Sequence, residues 1–258
     1  MPSRHALVRR PGPRLAEGLV THIERRPVDA ALALRQWEGY VRALREHGWH
    51  TTEVAPADDC PDAVFVEDTM VVFRNVALLA RSGADVRRAE LPAARAAAEA
   101  LGCSLNAVRA PGTLDGGDVL KIGDTVYVGR GGRTNAEGVR QLRAAFEPLG
   151  ARVVPVPVSR VLHLKSAVTA LPDGTVVGYP PLVDDLSVFP HFRPVLEEPG
   201  AHVVLLGGDA LLMSAAAPRT AHLFARLGYR PVPVDIGEFE KMEGCVTCLS
   251  VRLRELPG

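Results

Sequence analysis

The 258-residue sequence predicts an α/β fold, on three observations. Pairs of β-rich runs joined by short turns recur along the chain. Each pair leads into a stretch of helical character, and most of those stretches stop at a glycine suited to a helix C-terminus. In the clearest unit, runs at 63–73 and 76–80 flank a turn at Arg74-Asn75, and an Ala/Arg/Glu-rich helix follows over 86–101 before Gly102. The same order returns at 117–122, turn Gly123-Asp124, 125–129, then a helix over 134–149 ending at Gly150. It returns again at 167–171 and 175–179 about Pro172-Asp173-Gly174, with a helix expected near 183–197. A fourth unit has strands at 201–206 and 210–214 and a helix over 219–227 before Gly228. A C-terminal strand at 246–252, an N-terminal strand at 6–9 and a helix over 30–47 would complete a fifth. Five weakly similar units of about 40–50 residues suggest a closed, propeller-like array in which the termini meet. An ordinary open α/β sheet fits the alternation equally well.

Composition narrows the classes of function. Thirty basic residues balance thirty acidic ones, so the net charge is zero, which argues against a nucleic-acid partner or an anionic membrane surface. Four cysteines, Cys60, Cys103, Cys245 and Cys248, are too few for a disulfide framework in a chain of this length. The Met-Pro-Ser-Arg-His start has no apolar signal region, and no apolar run is long enough to span a bilayer. The expectation is a cytoplasmic protein forming a single domain over residues 1–258, since no linker or composition break interrupts it.

Reactive side chains stand at the head of successive units. Asp62, Glu67 and Asp68 lie in PDAVFVEDTMVVF, Asp115 and Asp118 in TLDGGDVL, His163 in VLHLKS, and Cys248 in GCVTCLSV. Glu67, Asp115 and His163 are spaced 48 residues apart, and Asp209 lies 46 beyond His163. Equivalent positions of a closed array converge on its axis, which would bring carboxylates, an imidazole and a thiol into one pocket. Buried charges are costly unless paired or functional, so this repetition carries more weight than any single motif. Taken singly, each acid reads as a strand-end residue facing water, and His163 as a satisfied core histidine. Gly116-Gly117 alone is a turn, because no phosphate-loop pattern surrounds it. The CxxC at Cys245 and Cys248 lacks further ligands at zinc spacing and opens a terminal strand with no helix after it. A single nucleophilic cysteine with a distant histidine fits better.

These motifs resemble the dimethylarginine dimethylaminohydrolase family, in the guanidino-group-modifying superfamily with the five-bladed α/β-propeller (pentein) fold. The resemblance covers nearly the whole chain: EGL at 17–19, PDAVFVED at 61–68, GADVRR at 83–88, APGTLDGGDV at 110–119, GRTNAEG at 132–138, VLHLKS at 161–166 and KMEGCVTCLS at 241–250. It implies a five-bladed propeller around a central active-site channel. It also implies hydrolysis of Nω-methylated L-arginine to citrulline and a methylamine, without metal or organic cofactor.

Residue by residue, the resemblance makes Cys248 the nucleophile, His163 the general acid/base and Asp115 the carboxylate that orients the imidazole. Glu67 and Asp68 are similar to the carboxylates facing the guanidinium, and Arg87 and Arg133 to the pair holding the α-carboxylate. Asp62 resembles the group that meets the α-amino nitrogen, with the main-chain carbonyls of Leu19 and Met242 as further acceptors. Leu19 lies in a Gly-containing loop that could serve as a lid. Two positions depart from the scheme. Cys245 has no role in it and reads as a small apolar filler, with oxidation against Cys248 as the alternative. Glu243 stands where an aspartate is often found, which weakens the Met242 assignment most. The expected partner is a small molecule, methylated L-arginine; a homodimer stays open. Arginine deiminase is the nearest alternative, and a non-catalytic arginine-binding module or a CxxC redox or zinc protein are alternatives of another class.

Overall fold

The computed structural model describes residues 3–256. Met1, Pro2, Pro257 and Gly258, the ends of the domain expected over 1–258 and part of the segment read for a signal peptide, lie outside the described residues. Among the described residues no helix is long and apolar enough to cross a membrane.

Among the described residues, fifteen strands form five three-stranded sheets, each with the same internal order. An antiparallel hairpin comes first, and a third strand then returns parallel to the hairpin's second strand. β3 (Met70–Phe73), β4 (Val76–Leu79) and β5 (Ser104–Ala107) make one sheet. β6 (Val119–Ile122), β7 (Thr125–Arg130) and β8 (Arg152–Pro157) make the next. β9 (Val168–Ala170), β10 (Val176–Gly178) and β11 (Phe192–Pro194) follow, then β12 (Val203–Gly207), β13 (Ala210–Ser214) and β14 (Arg230–Val234). The fifth sheet joins the two ends of the chain. β15 (Val251–Leu256) pairs antiparallel with β1 (Ser3–Val8), which pairs parallel with β2 (His50–Glu53). Because the first and last strands share a sheet, the ring closes and the propeller expectation holds over the open sheet.

A parallel return needs a crossover, and helices supply it in four sheets. They are α1 (Ala30–Glu46), α2 (Leu91–Ala100), α3 (Ala136–Phe146) and α4 (Pro218–Arg226), with a short α5 (Gly237–Glu240) before β15. The Asp29 side chain caps α1 by accepting from Leu32 N at 3.0 Å, and Asn135 caps α3 by accepting from Gly138 N at 2.8 Å. The buried stripe of α1, Ala33, Trp37, Tyr40, Val41 and Leu44, repeats at helical spacing. Gly102, Gly150 and Gly228 take the left-handed backbone expected where the helical segments end. Five apolar clusters fill the spaces between neighbouring blades.

Three expectations need correction. No helix forms over 183–197. Pro190 and Pro194 cannot donate helical hydrogen bonds, and the crossover to β11 is built from short 3-10 turns. The strand expected from residue 63 starts only at Met70, because 66–69 form a 3-10 turn. The strand expected at 246–252 is β15, which begins at Val251 and continues to Leu256.

Candidate active site

The inner strand of three successive blades is preceded by a 3-10 turn, and these turns carry the reactive residues. Val66–Thr69 precedes β3, Gly116–Asp118 precedes β6, and Leu164–Ser166, headed by His163, precedes β9. The turn holding Cys248 precedes β15 in the same way. The AVFV run ahead of Glu67 has strand-like composition, yet the acids stand outside the ladder because their carboxylates serve neighbouring backbone groups. Asp68 Oδ1 accepts from Gly117 N at 2.8 Å, and Asp118 Oδ1 accepts from Leu164 N at 2.9 Å. Glu67 N donates to the Cys248 carbonyl at 3.2 Å. Each turn is thereby tied to the next around the axis, and the 48-residue spacing becomes physical convergence.

At the centre is His163. Its Nε2 lies 3.1 Å from Asp115 Oδ2, and Nδ1 lies 3.8 Å from Asp68 Oδ1. Asp115 is held on every side: Oδ1 accepts from Gly83 N at 3.0 Å, Oδ2 from Arg133 Nη1 at 3.1 Å, and its own N–H goes to Thr134 Oγ1 at 3.2 Å. Gly117 is required here. A Cβ on it would stand 2.6 Å from His163 Nδ1 and 2.8 Å from Asp68 Oδ1. Burial alone would lower the His163 pKa, but the carboxylates of Asp68, Asp115 and Asp118 outweigh it and raise the value to about 9. Burial opposes ionisation of Asp115 too, yet the His163 hydrogen bond and charge, with Arg87 and Arg133, hold it low. Asp118, with Thr134 Oγ1 on Oδ2 at 2.6 Å, is pushed up to about 6 by burial.

Cys248 lies 6% exposed, with Cys245 beside it. Their sulfurs are 3.4 Å apart, unbonded, and Cys245 N points at Cys248 Sγ from 3.4 Å. Cys245 is therefore not an inert apolar filler. The hydrogen bond between the sulfurs lowers the cost of the pair's first ionisation and pushes the second up, burial adding to that second shift.

The remaining residues divide by what they already hold. Arg87 gives Nε and Nη2 to Glu90, Nη1 to Asp68 Oδ2 at 2.6 Å, and Nη2 also to the carbonyls of Asp62 and Phe65. Its guanidinium is largely committed to positioning Asp68, and Glu90, which sequence reasoning passed over, anchors it. Glu67 Oε1 takes Lys165 Nζ at 2.6 Å and Arg252 Nη2 at 2.8 Å, while Oε2 has no partner. A lysine inside the apolar VLHLKS run was the available signal for Lys165. Asp62 accepts the Leu19 N–H on both oxygens at 3.1 Å, and a Cβ on Gly18 would touch both Asp62 and Met242. Asp62, Leu19 and Met242 thus form one cluster. Glu243, in the left-handed region at φ 60, aims its carboxylate at Thr21 N (2.9 Å), Thr21 Oγ1 and His22 N. The segment after Gly18 is thereby clasped to the C-terminal loop.

Asp68, Asp115 and His163 present atoms within 4.8 Å of one another, the geometry in which a metal ion could be held. Arg87 and Arg133 already neutralise both carboxylates, which weakens the pull on a divalent cation.

No family model matches the chain. Over 256 residues, 99% of both chains, it is 74% identical to the N(G),N(G)-dimethylarginine dimethylaminohydrolase of Streptomyces coelicolor. The chain belongs to the dimethylarginine dimethylaminohydrolase family. The Pseudomonas aeruginosa dimethylarginine dimethylaminohydrolase is 34% identical over 252 residues, 96% of this chain and 99% of that one. A crystal structure of its cysteine-to-serine variant complexed with citrulline superposes with a TM-score of 0.90 at 33% identity, covering 98% of this chain and all of the other. The N-terminal domain of the cyanobacterial arginine dihydrolase ArgZ shares the fold at a TM-score of 0.84 and 21% identity, covering 98% of this chain and 99% of that domain. Membership in the dimethylarginine dimethylaminohydrolase family agrees with five sheets closed by the two chain ends.

Proposed function

We propose that the protein hydrolyses Nω-methylated L-arginine, asymmetric dimethylarginine or monomethylarginine, to L-citrulline and dimethylamine or methylamine. The carrying observation is the buried His163 imidazole, raised to about 9 by Asp68, Asp115 and Asp118, together with a buried Cys248 thiol that feels the charge of the same Asp68. The P. aeruginosa complex with citrulline supports it. A guanidinium carbon is a poor electrophile, so the reaction needs a thiolate, and thiolate is what the Cys245–Cys248 pair favours at its first ionisation.

Cys248 Sγ attacks the guanidinium carbon, and the tetrahedral adduct collapses as His163 passes its proton to the departing amine. This leaves a thiouronium carbon on sulfur and neutral imidazole. His163 then takes a proton from water, the hydroxyl oxygen adds to that carbon, and the C–S bond breaks to return thiolate while the hydroxyl proton passes to solvent, where the free amine takes it up, leaving citrulline. Nε2 is held by Asp115, so Nδ1 is the nitrogen that carries the proton. Asp68 faces the guanidinium, with Glu67 Oε2 as the second carboxylate oxygen on that side. Arg133 holds the α-carboxylate, assisted by the remaining Nη1 hydrogen of Arg87. Asp62 and the carbonyls of Leu19 and Met242 receive the α-ammonium group.

Purified protein is expected to release citrulline from both methylated arginines faster than from arginine. No turnover of either methylated substrate sinks the proposal, and preference for arginine replaces it with the deiminase reading. All of the residues proposed for catalysis come from one chain. A reducing cytoplasm suits four free thiols, one of them the nucleophile.

With Cys248, His163 and Asp115 buried, substrate reaches them only when the clasped segment lifts. Glu243→Ala removes the anchors on Thr21 and His22. The expected result is a KM raised about tenfold with kcat within about twofold, a loss of closed-state binding. Steady-state citrulline assays check it, and an unchanged KM would show that the clasp does not govern binding.

A further inference from the structure

Among the acids of the catalytic turns, Asp118 alone has no task in the reaction proposed above. It is 1% exposed, and burying a carboxylate is costly unless its oxygens are paired. Both oxygens are paired, and each leads to a different member of the acid–base pair. Oδ1 accepts from Leu164 N at 2.9 Å, the amide that follows His163. Oδ2 accepts from the Thr134 hydroxyl at 2.6 Å, and Thr134 Oγ1 in turn accepts from Asp115 N at 3.2 Å. The Asp118 N–H closes the turn by donating to the Asp115 carbonyl at 3.1 Å. Thr134, Asp115 and His163 are buried as well.

One carboxylate thus fixes the main chain beneath Asp115 and beneath His163, which head the inner strands of two different blades. Gly129 of β7 keeps room for it. A Cβ there would stand 2.6 Å from Asp118 Oδ1 and 3.0 Å from Leu164 Cβ. The 3.1 Å contact between Asp115 Oδ2 and His163 Nε2 is the pivot on which the imidazole presents Nδ1. Both ends of that pivot are tied to Asp118, and a misplacement of about 1 Å in such a group can cost about a hundredfold in rate. Asp118 also adds its charge to those of Asp68 and Asp115 in favour of the imidazolium.

We propose that Asp118, through Thr134 and the Leu164 amide, is a positioning residue for proton transfer by His163. The role rests on the methylarginine hydrolysis proposed above.

Three variants of the full-length protein separate positioning from packing. Asp118→Asn keeps an acceptor for Leu164 N, loses the charge and turns a donor toward the Thr134 hydroxyl. Thr134→Val keeps the shape and the Asp118 charge but removes the hydroxyl link. Thr134→Ser restores that link. Asp118→Asn and Thr134→Val are each expected to lower kcat on asymmetric dimethylarginine by about 10–100-fold, with KM within about threefold. The split follows because Asp68, Arg133 and Asp62 keep partners of their own. Thr134→Ser is expected to recover most of the lost kcat. Thermal unfolding followed by circular dichroism establishes which variants are folded, and the Thr134 pair decides the matter if Asp118→Asn is not.

A second readout is the titration of the His163 imidazole by NMR, its signal identified by its loss in His163→Ala. The charged groups facing it are Asp68, Asp115 and Asp118, the first two backed by Arg87 and Arg133. Removing one negative charge is expected to move the titration about one pH unit lower in Asp118→Asn, while Thr134→Val leaves it in place. A residue that only packs the fold would move neither kcat nor this titration. No citrulline from the parent refutes the reaction and takes the Asp118 role with it. With an active parent, three results overturn the Asp118 role alone: kcat within about twofold of the parent in folded Asp118→Asn or Thr134→Val, Thr134→Ser no better than Thr134→Val, or an unmoved imidazole in folded Asp118→Asn.

Discussion

Cys248→Ser is expected to lower kcat by several orders of magnitude while the protein stays folded and still binds methylarginine. The exchange is nearly isosteric at a buried position, and the Ser hydroxyl can accept from Cys245 N as Sγ does at 3.4 Å. What it loses is ionisation. A thiol can reach the thiolate near neutrality when hydrogen bonds stabilise it, whereas a hydroxyl cannot without a strong base beside it. His163 does not serve as that base in the resting site, because its raised pKa keeps it an imidazolium. Citrulline release measures the first effect, and calorimetric titration with asymmetric dimethylarginine the second. More than about a tenth of the parent activity removes Cys248 from the nucleophile's role, since nucleophile and acid act as one unit. Lost turnover together with lost binding points instead to a collapsed site.

The catalytic turns were legible in the sequence because the fold repeats. Glu67, Asp115 and His163 are 48 residues apart, and a closed ring converts equal spacing into proximity. Composition misplaced them by one element, since AVFV looks like strand while Asp68 and Asp118 in fact bridge to the backbone of the next turn. The outer strands escaped notice for a different reason. β5 and β11 are short, polar and mostly exposed, so they carry no alternation. Prolines removed the helix expected at 183–197, although that segment does return parallel to β10 as the other crossovers do. Pairings across the ring were beyond reach. The roles of Glu90 on Arg87, Cys245 on Cys248 and Glu243 on Thr21 depend on distances that no local pattern encodes. Nor did the neutral total charge disclose that the carboxylates of Asp68, Asp115 and Asp118 gather around His163.

His163→Ala is expected to match the loss expected at Cys248, for a reason that pH can isolate. The imidazolium must deliver a proton to the leaving amine, and its pKa of about 9 keeps that proton in place at neutrality. In the parent, kcat should therefore hold through neutrality and fall as pH rises through about 9. The sign for folding runs the same way. A histidine raised from 6.5 contributes stability that is fully present below 6.5 and is lost as pH climbs through 9, so activity must be read where the protein is shown to be folded. Asp115→Asn separates an acid role from a structural one. It keeps an oxygen for Nε2 but removes the charge that favours the imidazolium, so the alkaline limb should move to lower pH while the fold persists. In His163→Ala no such limb remains, and activity should be low at every pH. An alkaline limb unmoved in Asp115→Asn, or retained in His163→Ala, assigns the titration to another group. The Cys245–Cys248 pair is then the group to examine, because its second ionisation is the one the structure pushes up.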